Sequence, residues 1–187
     1  MPDSNITKKA LATAMKTLML QQPFAKISVG DICGECGMNR KSFYYHFRDK
    51  YELVNWIFHT EFLEAVGTQP YEDSWAFLLD MFRYFHNNRV FYVNALSVTG
   101  QDSFREYFGE VFQPIILVAM EEAFSNAQRG EFYSVFFTDA LLMAIERWLR
   151  EGTMQPEELA ELLREGIEGT AVRVVKSMDL PEGKERT

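Results

Sequence analysis

Cysteines and long apolar runs are both scarce in this chain of 187 residues. Its two cysteines, Cys33 and Cys36, lie three residues apart, which does not resemble the disulfide framework of a small secreted protein. No uninterrupted apolar run is longer than that from Ile115 to Met120, whereas a membrane-spanning helix needs about 20 apolar residues. No basic segment followed by an apolar run marks a secretory signal. We therefore expect a soluble, cytoplasmic protein without membrane contact.

Recognisable catalytic and metal-binding patterns are also lacking. His59 and His86 have no partner residues at a suitable spacing, and Cys33 and Cys36 lack the second ligand pair that a zinc site requires. The sequence shows no glycine-rich phosphate loop, nucleophile–base pair or carboxylate cluster. These observations predict a protein that is not an enzyme and that needs no metal or cofactor.

Positive charge is scarce overall, since the net charge is −8, but it is unevenly distributed. Residues 1–60 hold eight Lys and Arg against five acidic residues, whereas residues 61–187 hold eleven against twenty-two. A basic N-terminal part on an acidic body is the distribution that a local contact with DNA phosphates requires.

The alternating pattern of β-strands is absent, and the apolar residues recur at helical spacing throughout. We predict an all-α fold, with breaks at Gly, Asn and Pro residues. Pro114 is expected to kink or break the helix that contains it. The predicted helices cover residues 6–21, 29–36, 40–47, 49–66, 74–86, 88–98, 103–126, 131–150 and 155–177.

Three short helices with strong capping signals are predicted near the N-terminus. Ser28 is a suitable N-cap for the first, with Asp31 three residues later as in a capping box. Gly37 ends that helix, since glycine adopts positive φ without strain. Asn39 caps the next helix, and Asp49 opens a longer one. A helix, a tight turn and a second helix form the arrangement by which one helix enters the DNA major groove.

The second of these helices, residues 40–47, separates into a buried and an exposed face. Phe43 and Phe47 lie four residues apart and are expected to be buried together. Arg40 and Lys41 at the N-terminal end are unfavourable to the helix dipole, and their placement is explained if that end contacts DNA. Tyrosine hydroxyls and His46 suit phosphate contacts.

Residues 6–53 resemble the DNA-binding domain of the TetR/AcrR family, most specifically in the string Phe43-Tyr44-Tyr45-His46-Phe47 followed by Asp49 and Lys50. The resemblance implies a homodimer that binds double-stranded operator DNA, with a helix-turn-helix domain at 1–50 and a helical effector and dimerisation domain at 51–187. Gly30 and Gly34 depart from the family, which usually carries larger residues there. The implied DNA-contacting residues are Ser28, Arg40, Lys41, Ser42, Tyr44, Tyr45, His46 and Lys50.

The C-terminal part resembles the family subgroup that includes regulators of dihydroxyacetone kinase operons. The similarity lies in Phe91-Tyr92, Asn94-Ala95-Leu96, Gly100 and Ser103-Phe104. Members of that subgroup activate as well as repress transcription, so the resemblance leaves both a repressor and an activator open.

Two apolar sets in the C-terminal part suggest further sites, although each could instead fill the core of one subunit. Aromatic residues are candidates for the pocket of a small apolar or aromatic effector: Trp75, Phe82, Phe85, Phe91, Phe108, Phe112 and Phe124. Stripes on the last two helices are candidates for a four-helix dimer interface: Phe137, Leu141, Ile145, Trp148, Leu163, Ile167, Thr170 and Val174.

Two other modes of control remain open from the sequence. The C-terminal domain could bind a partner protein, for which a large exposed apolar patch without an enclosed cavity would be the sign. Oxidation of Cys33 and Cys36 could also control DNA binding, although packing of small side chains in the first helix of the motif is the favoured explanation of both residues.

Overall fold

The computed structural model describes residues 2–68, 70–124 and 127–178, with side chains for 4–68, 70–118 and 130–167. Within these ranges the structure is helical and contains no strand, which confirms the predicted all-α fold. The helices are α1 (Pro2–Gln21), α2 (Val29–Glu35), α3 (Arg40–His46), α4 (Lys50–Phe58), α5 (Glu64–Val66), α6 (Ser74–Asn87), α7 (Arg89–Leu96), α8 (Phe104–Phe124), α9 (Ala127–Glu151) and α10 (Pro156–Met178).

Helices α2 and α3 pack against the apolar face of α1. Leu11, Met15 and Met19 of that face are almost completely buried and meet Phe24 from the 3₁₀ turn Phe24–Lys26. Helix α1 contacts both α2 and α3, as well as α4 and α7. We call this packed unit, from α1 to α3, the head.

A π-helical turn, His59–Leu63, joins α4 to the short helix α5. It carries Glu61, whose Oε2 accepts hydrogen bonds from Lys16 Nζ of α1 at 2.6 Å and from Tyr84 Oη of α6 at 3.2 Å. The Tyr84 and Tyr92 hydroxyls lie 2.8 Å apart. The turn thus contributes to a polar link between α1 and the C-terminal helices.

Helices α8 and α9 form the most extensive packing contact of the C-terminal part. The Arg105 guanidinium of α8 pairs with Glu146 of α9, which also pairs with Arg150. Helix α8 is not interrupted at Pro114, where the sequence predicts a kink or a break. Helix α10 packs on α6, and α7 lies against α1 and α9.

One continuous set of buried apolar residues runs from the head into the C-terminal part. Phe58, on the last turn of α4, stacks on Phe85 at 5.6 Å between ring centroids and meets Phe104 edge-on at 5.2 Å. Two residues before Phe58 on α4, the Trp56 ring contacts Phe47 at 5.7 Å between ring centroids. Helix α4, together with α1 where it contacts α7, therefore joins the two parts in one core.

Candidate nucleic-acid interface

The first helix of the motif, α2, begins at Ser28 with a complete capping box. Ser28 Oγ accepts a hydrogen bond from the Asp31 backbone N–H at 3.2 Å, and the Ser28 N–H donates to Asp31 Oδ2 at 2.8 Å. The Ser28 hydroxyl also donates to the same carboxylate, at 2.6 Å. These hydrogen bonds lower the pKa of the Asp31 carboxyl below its ordinary value. They fix the start of α2, and the turn after it is made by Gly37 at φ +66°.

The second helix, α3, is held by one polar cap and two buried rings. Asn39 Oδ1 accepts hydrogen bonds from Ser42 N–H at 2.9 Å and from Ser42 Oγ at 3.2 Å. Phe43 is fully buried and Phe47 nearly so, as their spacing predicts. Because both rings point into the head, the opposite face of α3 must point away from it.

The polar residues predicted to contact DNA lie largely on that outward face. Tyr45 is 80% exposed and Tyr44 57%, and Arg40, Lys41 and Ser28 are exposed as well. Ser42 and His46 are half-buried. A shallow open groove brings Lys41, Ser42, Tyr45 and His46 together with Thr7 of α1. The structure therefore provides a continuous, accessible polar surface on α3.

Lys50 differs from the other predicted contacts because its ammonium group is already engaged. Its Nζ donates to the carbonyl oxygens of Phe24 and Ile27 at 2.8 Å and of Ala25 at 3.3 Å, and lies 4.5 Å from the Phe24 ring centroid. Burial lowers the pKa of this ammonium group. Three hydrogen bonds use its three donors. In this conformation Lys50 holds the 3₁₀ turn, and a phosphate contact would compete with that role.

The two cysteines are free thiols. Cys33 is buried, and burial together with the neighbouring Cys36 raises the pKa of its thiol. The Cys36 thiol donates to the Ile32 carbonyl at 3.3 Å. A raised pKa disfavours the reactive thiolate. Across the described part of the chain, no group of three His, Cys, Asp or Glu side chains is placed to hold a metal ion.

The predicted effector residues lie mostly in the core. Phe82, Phe85, Phe91, Phe108 and Phe112 are buried, and the rings of Phe108 and Phe112 stack at 4.2 Å. Trp75 is half-buried beside an open cleft between α6 and α10, and the Phe124 side chain lies outside the described residues. Phe85 also contacts Phe108, whereas the Phe82 ring contacts Trp148 and the Phe91 ring contacts Tyr92.

A separate cleft of about 400 Å³ opens beside Trp148, between the ends of α9 and α10. Trp148 itself is 5% exposed, and its indole N–H donates to the Met154 carbonyl at 2.8 Å. The apolar part of the cleft is lined by Ala140, Met143, Ala144, Met154 and Leu159.

The residues predicted to form a dimer interface differ in how far they are buried within the protomer. Ile145 and Trp148 are buried within the protomer, because α9 turns this side toward α6 and α7. Phe137, Leu141 and Leu163 are half-buried, and Ile167 is exposed. The side chains of Thr170 and Val174 lie outside the described residues.

Sequence reasoning missed a different exposed apolar surface on α8 and α9, which we call the α8–α9 face. It consists of Ile115 and Val118 of α8 with Phe132, Val135, Phe136 and Met143 of α9, each more than two-fifths exposed. The Phe132 and Phe136 rings lie parallel, 6.4 Å apart. Helical spacing relates Phe132, Phe136 and Met143, but spacing alone does not show which apolar stripe the protomer covers.

Comparison with known proteins supports a single family for the chain. A family model for bacterial regulatory proteins of the tetR family matches residues 10–57, and one for a transcriptional regulator C-terminal region matches residues 72–169, just over half of the chain. The HTH-type dhaKLM operon transcriptional activator DhaS of Lactococcus lactis subsp. lactis (strain IL1403) is 37% identical over 93 residues, 49% of this chain and 50% of that protein. The match thus spans about half the length of this curated relative.

Solved structures share the fold. The dihydroxyacetone kinase operon activator DhaS has a TM-score of 0.62 at 23% identity, covering 90% of this chain and 96% of that one. NalD, the secondary repressor of the MexAB-OprM multidrug efflux pump in Pseudomonas aeruginosa, has a TM-score of 0.63 at 18% identity, covering 89% and 95%. The helix-turn-helix geometry and the family matches together show that the chain belongs to the TetR family of bacterial transcriptional regulators.

Proposed function

We propose that this regulator binds a near-palindromic operator as a homodimer, with α3 of each protomer in the major groove. The observation that carries the proposal is the division of α3, where Phe43 and Phe47 are buried while Arg40, Lys41 and Tyr45 remain accessible. A recognition helix needs this arrangement, because its buried side fixes its orientation and its other side meets base edges. Such a DNA-binding regulator acts in the cytoplasm.

The contacts divide by chemistry into base readers and phosphate binders. Arg40, the first residue of α3, suits a bidentate contact to guanine. Lys41 supplies a cation for the phosphates. The hydroxyl groups of Tyr44 and Tyr45 and the ring N–H of His46 supply further contacts to phosphate oxygens. Ser42 and Ser28 are also assigned to the DNA surface, while Lys50 is assigned chiefly to positioning the 3₁₀ turn.

The charge distribution supports the same orientation on DNA. The first 60 residues carry a net positive charge and the remainder a strong negative charge. A polyanion attracts the first part and repels the second. The head therefore approaches DNA with α2 and α3 leading and the acidic body pointing away.

The homodimer is proposed to form through the α8–α9 face. Exposed apolar side chains can mark interaction surfaces, and α8 and α9 of two copies would bury those of the α8–α9 face in a four-helix contact. The sequence predicts an interface on the apolar stripes of the last two helices. The proposed interface lies instead on the side of α9 that the protomer leaves exposed. Residues 1–50 and 51–187 then serve as DNA-binding and dimerisation domains, with the boundary at the start of α4.

Control by a small apolar or aromatic effector is proposed to act through the cleft beside Trp148. Its volume of about 400 Å³ and its mostly apolar walls suit a small flat molecule. The alternative, control by a partner protein, predicts that the α8–α9 face binds that partner and that the purified chain is a monomer. Control by thiol oxidation has less support, because burial and the raised pKa of Cys33 disfavour its thiolate.

Selection from a random-sequence duplex library by the purified protein tests the proposed function. We expect enrichment of near-palindromic duplexes that bind two protomers each, as measured by fluorescence anisotropy and sedimentation. Half-sites should be spaced by about one helical turn or a multiple of it. Absence of any enriched duplex at low salt would overturn the proposal. A promoter reporter then distinguishes activation, as the name of the Lactococcus relative indicates, from repression.

A further inference from the structure

The Arg40 side chain lies against the backbone of α2 at a position where only a glycine leaves room for it. A Cβ placed on Gly30 would be 2.6 Å from Arg40 Nη2, 3.3 Å from Nε and 3.4 Å from Cζ. Gly30 belongs to the first turn of α2, and Arg40 is the first residue of α3. The guanidinium group is thus seated between the two helices of the motif.

This seat uses none of the hydrogen-bond donors of the guanidinium group. Within the described part of the chain, the Arg40 side chain forms no hydrogen bond or ion pair. The nearby Asp31 carboxylate accepts two hydrogen bonds from Ser28 instead. The Arg40 charge still acts on this region, since it contributes to the lowered pKa of Asp31. Arg40 is therefore oriented by shape while its five donors remain available to a ligand.

We propose that Gly30 is a specificity-determining position for operator recognition, which acts by setting the direction from which the Arg40 guanidinium approaches a base pair. The inference rests on the proposed DNA-binding function. Any larger residue at position 30 occupies the seat and moves the guanidinium, because the flexible end of a side chain yields more readily than a helix backbone. A bidentate contact to guanine depends on that direction, whereas attraction to phosphates does not.

Gly34 offers a matched control on the same helix. A Cβ added at Gly34 has no heavy atom within 4 Å, so Gly34→Ala makes the same chemical change without touching Arg40. Both substitutions raise helix propensity, and neither requires the backbone to move. A melting temperature at least as high as that of the wild type, measured by circular dichroism, checks that both variants fold.

The experiment compares wild type, Gly30→Ala, Gly34→Ala, Arg40→Ala and the Gly30→Ala/Arg40→Ala double variant. Two probes are used: the duplex that the wild type enriches from a random library, and the unselected duplex pool. Gly30→Ala should bind the enriched duplex about tenfold more weakly than the wild type, as expected for one misplaced bidentate contact. Its affinity for the unselected pool should stay within about twofold of the wild-type affinity. Gly34→Ala should match the wild type on both. In the Arg40→Ala background, Gly30→Ala should have no further effect.

Two results would overturn the inference while leaving the proposed function intact. One is equal affinity of Gly30→Ala and Gly34→Ala for the enriched duplex. The other is an additive loss in the double variant, since a positioning residue cannot act once the residue it positions is gone. Failure of the wild type to bind either probe is a different result, which overturns the proposed function and the inference together.

Discussion

Arg48 Nη2 donates to a carboxylate oxygen of Asp102 at 2.7 Å, which joins the turn after α3 to the loop before α8. The Asp102 carbonyl also accepts a hydrogen bond from Asn55 Nδ2 of α4 at 3.3 Å. Asp102 has φ +64°, an uncommon conformation for a residue with a side chain. The loop between α7 and α8 therefore makes one contact to the turn after the recognition helix and one to α4.

Asp102→Asn should loosen this connection with little effect on overall stability. Asparagine tolerates positive φ, so the substitution chiefly removes the charge. The pair is solvent-exposed, and its loss should change the free energy of unfolding by less than about 1 kcal/mol. Amide hydrogen exchange in the turn around Arg48 and in the first turn of α4 should accelerate relative to that in α6. Unchanged exchange in that turn would contradict the proposed connection, and Arg48→Ala should reproduce the effect.

Lys50→Met should destabilise the head although its side chain remains long and apolar. The substitution removes three hydrogen bonds to carbonyl oxygens of residues 24–27, which are then left without that donor. Hydrogen bonds from charged donors predict a loss of about 2 kcal/mol in the free energy of unfolding by urea. Lys41→Ala, which changes an exposed lysine, should cost less than about 0.5 kcal/mol. Equal stability of the two variants would refute the positioning role of Lys50.

Gly152→Ala should destabilise the C-terminal end of α9. Gly152 has φ +66°, and the Arg89 guanidinium lies where its Cβ would be placed. That guanidinium donates to the carbonyls of Leu149 and Arg150, the last turn of the helix. Backbone strain and the displaced cap predict a loss of about 2 kcal/mol by urea unfolding. A Cβ added at Gly166 meets no heavy atom within 4 Å, so Gly166→Ala should not lower stability.

Phe136→Glu should convert the proposed dimer into monomers. Phe136 belongs to the α8–α9 face and is 52% exposed, so the substitution leaves the protomer core intact but places a charge in the proposed interface. Sedimentation velocity should show a monomer at concentrations where the wild type is a dimer. Val90→Glu, at a similarly exposed apolar residue of α7, should remain dimeric. A dimeric Phe136→Glu would place the interface elsewhere.

Much of the head could be predicted from the sequence because its signals are local. Ser28, Asn39 and Asp49 each accept hydrogen bonds from the first turn of the helix that they precede, as their residue types predict. The burial of Phe43 and Phe47 follows from their spacing. Short-range rules of this kind do not depend on the rest of the fold.

The C-terminal part was less predictable because its assignments depend on tertiary contacts. Ile145 and Phe136 are both apolar and both on α9, yet one is buried in the protomer and the other is half exposed. Periodicity identifies apolar stripes but not the helix that covers each of them. The seat of Arg40 on Gly30 likewise arises from the packing of two helices and not from the residue types alone.

The salt dependence of DNA binding tests the central claim most directly. The slope of log affinity against log salt concentration should be measured on the unselected duplex pool for wild type, Lys41→Ala and Arg83→Ala. Arg83 provides an equal charge change on α6, far from α3 in the chain. Lys41→Ala should weaken binding and reduce the slope by about one, and Arg83→Ala should change neither. If Lys41→Ala bound the pool with the affinity and slope of the wild type, the exposed face of α3 would not be the DNA-binding surface.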